Sequence, residues 1–173
     1  MKKSFSIILL LTLFFLLWTT VLLGETGLEG ESKGKNPLII RTGRLNSTDG
    51  RIEGSEGVTL IKGDVEVQGE KLLYFEREKR AEISGGVQLS HDKGQISCEK
   101  MEAFLETDRY VFREEVKMLQ ILEEGDFNLT STFLELFKEN NSFQARQGVV
   151  INYKGRILKG ETVFYNEEEE TLE

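Results

Sequence analysis

Ala81–Phe104 reads Ala-Glu-Ile-Ser-Gly-Gly-Val-Gln-Leu-Ser-His-Asp-Lys-Gly-Gln-Ile-Ser-Cys-Glu-Lys-Met-Glu-Ala-Phe, and its pattern decides the fold. Ala81, Ile83, Gly85, Val87 and Leu89 share one parity; Glu82, Ser84, Gly86, Gln88 and Ser90 take the other. Side chains alternate across a strand, so this is a strand with one apolar face. His91-Asp92-Lys93-Gly94 reads as a turn, after which the chain returns. On the return Ile96 and Cys98 share a parity, while Met101 and Ala103 take the opposite one. A bulge near Cys98 re-aims the side chains.

The same pair of strands recurs outward in both directions. Gly57-Val58-Thr59-Leu60 returns as Gly86-Val87-Gln88-Leu89, Glu115-Val116-Lys117-Met118 and Gly148-Val149-Val150-Ile151, at offsets of 29, 29 and 33 residues. Those offsets carry Glu70-Lys71-Leu72-Leu73-Tyr74-Phe75 onto Glu99–Phe104, Thr132–Phe137 and Glu161–Asn166. Two blocks sharing one set of offsets mark a repeat architecture. The longer third unit places its extra residues around Gln120 to Asp126, where a longer hairpin tip absorbs them. The parity switch repeats too, which predicts bulges near Gly69, Cys98 and Ser131. Short turns at Lys62-Gly63-Asp64, Glu139-Asn140-Asn141-Ser142 and Lys154-Gly155 join antiparallel neighbours.

A meander of about eight strands with one apolar face must bury that face. Strand parity assigns the lining. The first unit supplies Leu60, Leu72 and Tyr74. The second supplies Ile83, Val87, Leu89 and Met101. The third supplies Tyr110, Phe112, Val116, Met118, Leu134 and Leu136, and the last supplies Phe143, Val149, Ile151, Val163 and Tyr165. These side chains form either the plain core of a closed sandwich or the wall of an apolar trough. A trough suits acyl chains, since each CH₂ removed from water gains about 0.8 kcal/mol. Periodicity fits both, and on periodicity alone the plain core is favoured.

Composition narrows the function. The net charge of -8 excludes nucleic acid as the main partner, because phosphate binding needs a basic face. With one cysteine, Cys98, the chain forms no internal disulfide and no Cys-rich zinc site. His91, the single histidine, reads as a solvated turn residue, and Cys98 as a small apolar filler. There is no His/carboxylate cluster, nucleophile elbow or phosphate-binding glycine loop. No enzyme activity, cofactor or metal is expected, and the acidic run Glu167–Glu170 reads as a solvated terminus.

Lys2 and Lys3 precede a charge-free apolar run from Phe5 to Leu23, which is an export signal predicted to be helical. Two readings stand. Residues 1–24 form a signal peptide cleaved after Gly24, or residues 5–23 stay as an inner-membrane anchor. Either way the remainder is translocated. Residues 25–37, rich in Gly, Glu, Ser and Lys, read as a flexible linker. The β domain then covers 38–173.

Units of the form Gly-Val-x-Leu, a turn, then a strand ending Glu-Lys-Leu-Leu-Tyr-Phe resemble the OstA-like domain of lipopolysaccharide-transport proteins. Ala81–Leu89 looks like that family's link between units. The resemblance covers roughly 38–173. It implies an all-β fold, an open, twisted antiparallel half-jelly-roll (a β-taco) with acyl chains held inside. It implies a periplasmic role, either as the soluble bridge component (LptA-type) or as the inner-membrane-anchored partner (LptC-type). The partners it implies are lipopolysaccharide or a related acylated lipid and an inner-membrane ABC transporter complex. It also implies other OstA-like domains, or further copies of this chain, joined by edge-strand pairing. The sheet edges are expected around Leu38 to Arg44 and at Arg156 to Asn166. The alternative is a structural or protein-binding β-repeat protein of the cell envelope with a self-filled core.

Overall fold

The computed structural model describes residues 37–91, 94–121, 125–140, 142–166 and 171–172. The expectations for the N-terminal run, most of the linker and Glu167–Glu170 fall outside these residues. Among them the chain is all β. It forms β1 (Leu38–Thr48), β2 (Arg51–Lys62), β3 (Val65–Gly69), β4 (Lys71–Phe75), β5 (Arg80–His91) and β6 (Gly94–Phe104). It continues as β7 (Arg109–Gln120), β8 (Phe127–Phe137), β9 (Ser142–Tyr153), β10 (Arg156–Asn166) and β11 (Thr171–Leu172).

All strands belong to one antiparallel sheet in chain order, a meander without crossovers. β3 and β4 are one return strand broken at Glu70, whose backbone N–H donates instead to Ser84 O and Gly85 O. The connection between Gln120 at the end of β7 and Phe127 at the start of β8 is the longer one that the third unit requires; the tips at Gly63-Asp64 and Lys154-Gly155 are two residues long.

Two consecutive residues with positive φ interrupt the first strand of every unit. They are Glu56-Gly57 (65° and 82°), Gly85-Gly86 (84° and 56°), Glu114-Glu115 (64° and 53°) and Gln147-Gly148 (66° and 70°). Their spacing is the 29, 29 and 33 of the sequence repeat, so the repeat is a repeated corner. Here the first strand spends one residue more than its neighbours. The steps from Ser84 to Val87 face only those from Lys100 to Cys98, and Arg113 to Val116 face Phe133 to Ser131. The irregularity lies where the parity switch predicts it, at Cys98 and Ser131. The extra residue, however, sits on the facing strand, because glycine reaches left-handed φ there at low cost.

The corners divide the sheet into two leaves. The first carries the tips at Gly63-Asp64 and Lys154-Gly155. The second carries the turns at Asp49-Gly50, 76–79, 105–108 and 138–140. The leaves fold onto each other around one cluster of buried apolar side chains.

The third corner is the only one without glycine. An L-residue in the left-handed region costs roughly 1–2 kcal/mol, partly offset by the lower unfolded-state entropy of a non-glycine. Glu115→Gly is therefore expected to stabilise the domain by about 0.5–1 kcal/mol, read as a higher urea midpoint at unchanged slope. Glu115 is exposed, so the change removes no packing.

The outer face of the second leaf departs from a simple solvated surface. Strand pairing aligns Arg51, Phe75, Arg80, Phe104, Arg109 and Phe137 in one row across six strands. The guanidinium of Arg80 lies 4.3 Å from the Phe75 ring centre, and that of Arg109 lies 4.6 Å from Phe104. Such cation–π contacts are worth about 0.5–1 kcal/mol at exposed sites. The adjacent row is acidic: Glu82 pairs with Arg80, and Arg109 Nε donates to Glu135 at 2.6 Å. These long side chains cover Val111 and Glu135, which are buried although they point outward.

Candidate functional site

The lining assigned by parity comes together. Of its eighteen residues, all but Val163 are buried in a single cluster, and Val163 packs against that cluster while partly exposed. Phe112 sits at the centre, opposite Met101 on one neighbour and Leu134 on the other. The cluster also contains residues that the parity assignment omitted: Val65, Val67, Ile96, Phe127, Leu129 and Tyr153. Most lie on return strands before the corner, and their alternation was visible in the sequence.

Cys98 is buried at the second corner. Its Sγ donates to Lys100 O at 3.2 Å, and burial pushes the thiol up to about 11. A thiol held protonated in this way packs as a small apolar group. His91 corrects the expectation of a solvated turn residue: its side chain is only 6% exposed, with Nε2 2.8 Å from Asp64 Oδ2 on the neighbouring tip.

The lining fills itself through its middle. A cavity of about 30 Å³ remains between the leaves at their free margins, walled by Val65, Leu89, Ile96, Tyr110, Met118 and Leu136. That is well below the roughly 300–1,000 Å³ of a typical ligand pocket. Among the described residues the Gln120 amide and the Tyr153 hydroxyl are buried on the inward side without a hydrogen-bond partner. They lie on one cross-strand row, Gln120 to Phe127 to Tyr153. An unpaired buried polar group costs about 1–3 kcal/mol, so this row can hydrogen-bond to a polar group placed beside it.

Among the described residues the two ends of the lining are open. On β1, Leu45 stands opposite Gly54 on the inward side and is 56% exposed. On β10, Leu158 stands opposite Ile151, also inward, and is 48% exposed. Among the described residues β1 has a free edge along its length, and β10 is covered only at Tyr165 and Asn166, by β11. Apolar side chains and unpaired backbone therefore coincide at both ends.

These features define a fold: a continuous antiparallel meander, cornered once per unit and folded over one apolar lining with open ends. It is the all-β half-jelly-roll architecture that the sequence pattern resembles. Among solved structures it is similar to LptH of Pseudomonas aeruginosa, the LptA-homologous periplasmic component of the lipopolysaccharide transport device. The TM-score is 0.56 at 13% identity, covering 72% of this chain and 94% of that one. No protein-family model matches the chain. No curated protein matches it significantly by sequence.

Proposed function

We propose that this chain binds acylated lipid, lipopolysaccharide or a near relative, and passes it across the periplasm. The single observation carrying this reading is the lining: alternate side chains from ten strands gather into one apolar surface that stays exposed at both ends. The half-jelly-roll likeness to a periplasmic component of a lipopolysaccharide transport device supports it. Tails would lie among the lining residues, with the leaves parting to admit them and the polar head in water. Binding is passive, so the energy for transport comes from a partner such as an inner-membrane ABC transporter. The free edges of β1 and β10 suit strand addition, to another domain of this fold or to a second copy. Placement in the periplasm is supported by the likeness to a periplasmic component and agrees with the export signal expected from the sequence.

A second reading has one observation in its favour. The core between the leaves is packed, which suits a structural or protein-binding envelope protein that carries nothing.

Photo-crosslinking separates the two. A crosslinker at Leu158, on the inward side, is expected to label lipid in cells, while one at the adjacent Ile157 is not. Native mass spectrometry of the protein purified from a lipopolysaccharide-producing host should then show acylated species. Absence of both signals leaves the structural reading.

A further inference from the structure

The free margins of the two leaves meet along a seam. Lys62, at the end of β2 in the first leaf, donates from Nζ to Asp108 Oδ1 at 2.8 Å and to Leu105 O at 3.1 Å, both in the second leaf. These partners are 46 and 43 residues away in sequence, and no strand ladder connects them. Asp108 also accepts the Tyr110 hydroxyl at 3.4 Å. Lys138 stands beside the pair, where burial lowers its ammonium pKa and Asp108 and Asp64 oppose that shift.

Two adjoining spaces lie at this seam. One is an open bowl of about 740 Å³, bearing Lys62, Lys79, Lys138, Asp64, Glu106 and Asp108 on its rim. The other is the apolar cavity between the leaves. Val65, Tyr110 and Lys138 line both. A charged bowl opening onto an apolar slot matches an amphiphile, with its charged head in the bowl and its hydrocarbon tail in the slot.

We propose that the seam at Lys62–Asp108 is a lateral doorway for the tails of a charged amphiphile, latched by this ion pair. The proposal rests on the lipid-binding reading. It adds that tails enter from the side, between the leaves, and need not thread from the open ends. The Lys62–Asp108 ion pair joins the leaf margins across the interior, so removing either partner loosens the closed state.

The test follows uptake of a lysophospholipid carrying an environment-sensitive fluorophore. Lys62→Met and Asp108→Asn are each expected to raise the uptake rate about threefold to fivefold, the upper range for a part-exposed ion pair. The double variant should add little to either, because both remove one contact. In a Cys98→Ala background, Lys62→Cys with Asp108→Cys, bridged by a short bifunctional maleimide, should take up the probe far more slowly than the unbridged protein. Bridged protein loading at the unbridged rate overturns the doorway and leaves lipid binding standing through the ends. Failure of wild type and every variant to take up probe overturns the lipid-binding reading, and the doorway with it.

Discussion

Phe112→Ala is expected to lower the unfolding free energy by about 3–5 kcal/mol, the usual cost of truncating a fully buried aromatic side chain. Phe112 is fully buried, at the centre of the second leaf, between Met101 and Leu134. Its neighbours belong to a sheet held by ladders on both sides, so they relax poorly into the vacated space, which places the cost high in that range. Chemical denaturation measures it, with Phe133→Ala as the contrast. Phe133 lies on the outer face under Arg113 and Arg146 and is only partly buried, so its loss should cost far less. Equal costs would mean that the two faces are assigned wrongly. The variant also bears on function. If hydrocarbon tails enter the lining, a saturating amphiphile should restore part of the lost stability by mass action.

Much of the fold was legible because the repeat shows in two chemistries at once. Apolar alternation fixed the inward face of β5, β7 and β9, and the shared offsets fixed the unit length. The corner was legible only as a parity switch. The extra residue could not be assigned to a strand, because Ser84-Gly85-Gly86-Val87 keeps its parity across four residues while the facing strand changes parity across three. Only glycine at 57, 86 and 148 hinted at a left-handed backbone, and Glu115 in the third unit hid the pattern. The Arg–Phe row was also present in the sequence, as Arg51, Arg80 and Arg109 at spacings of 29. Those residues border turns, and their alignment with Phe75, Phe104 and Phe137 appears only once strands are paired. The seam was not legible at all, since Lys62 and Asp108 meet through the folding of the sheet upon itself.

The lining and its ends differ in how firmly they are held, and this matters for assembly. A central strand is anchored by two ladders and an inward row of side chains. β10 has one full ladder, to β9, and its residues from Arg156 to Thr162 are exposed. Its inward hold on the core comes from Val163 and Tyr165, at its C-terminal end.

Tyr165→Ala is accordingly expected to cost about 3–5 kcal/mol as well, but to spend it locally. Tyr165 is fully buried and faces Phe143 with ring centres 5.6 Å apart and planes at 29°. Losing this stack removes an aromatic pair worth about 0.5–1.5 kcal/mol beyond its buried area. β10 then opens as a unit while the middle of the sheet persists, since edge elements have the lowest local stability. Hydrogen exchange reads the difference: amides of 156–166 should lose protection while those of 81–104 keep theirs, whereas Phe112→Ala lowers protection throughout. Opening β10 uncovers β9, a longer edge whose inward face carries Phe143, Ala145, Val149 and Ile151. Such an edge invites pairing with another chain, so self-association should rise at concentrations where the wild type remains dispersed. Uniform loss of protection across the sheet would instead make β10 part of the central cooperative unit, and a poor candidate for strand exchange with a partner.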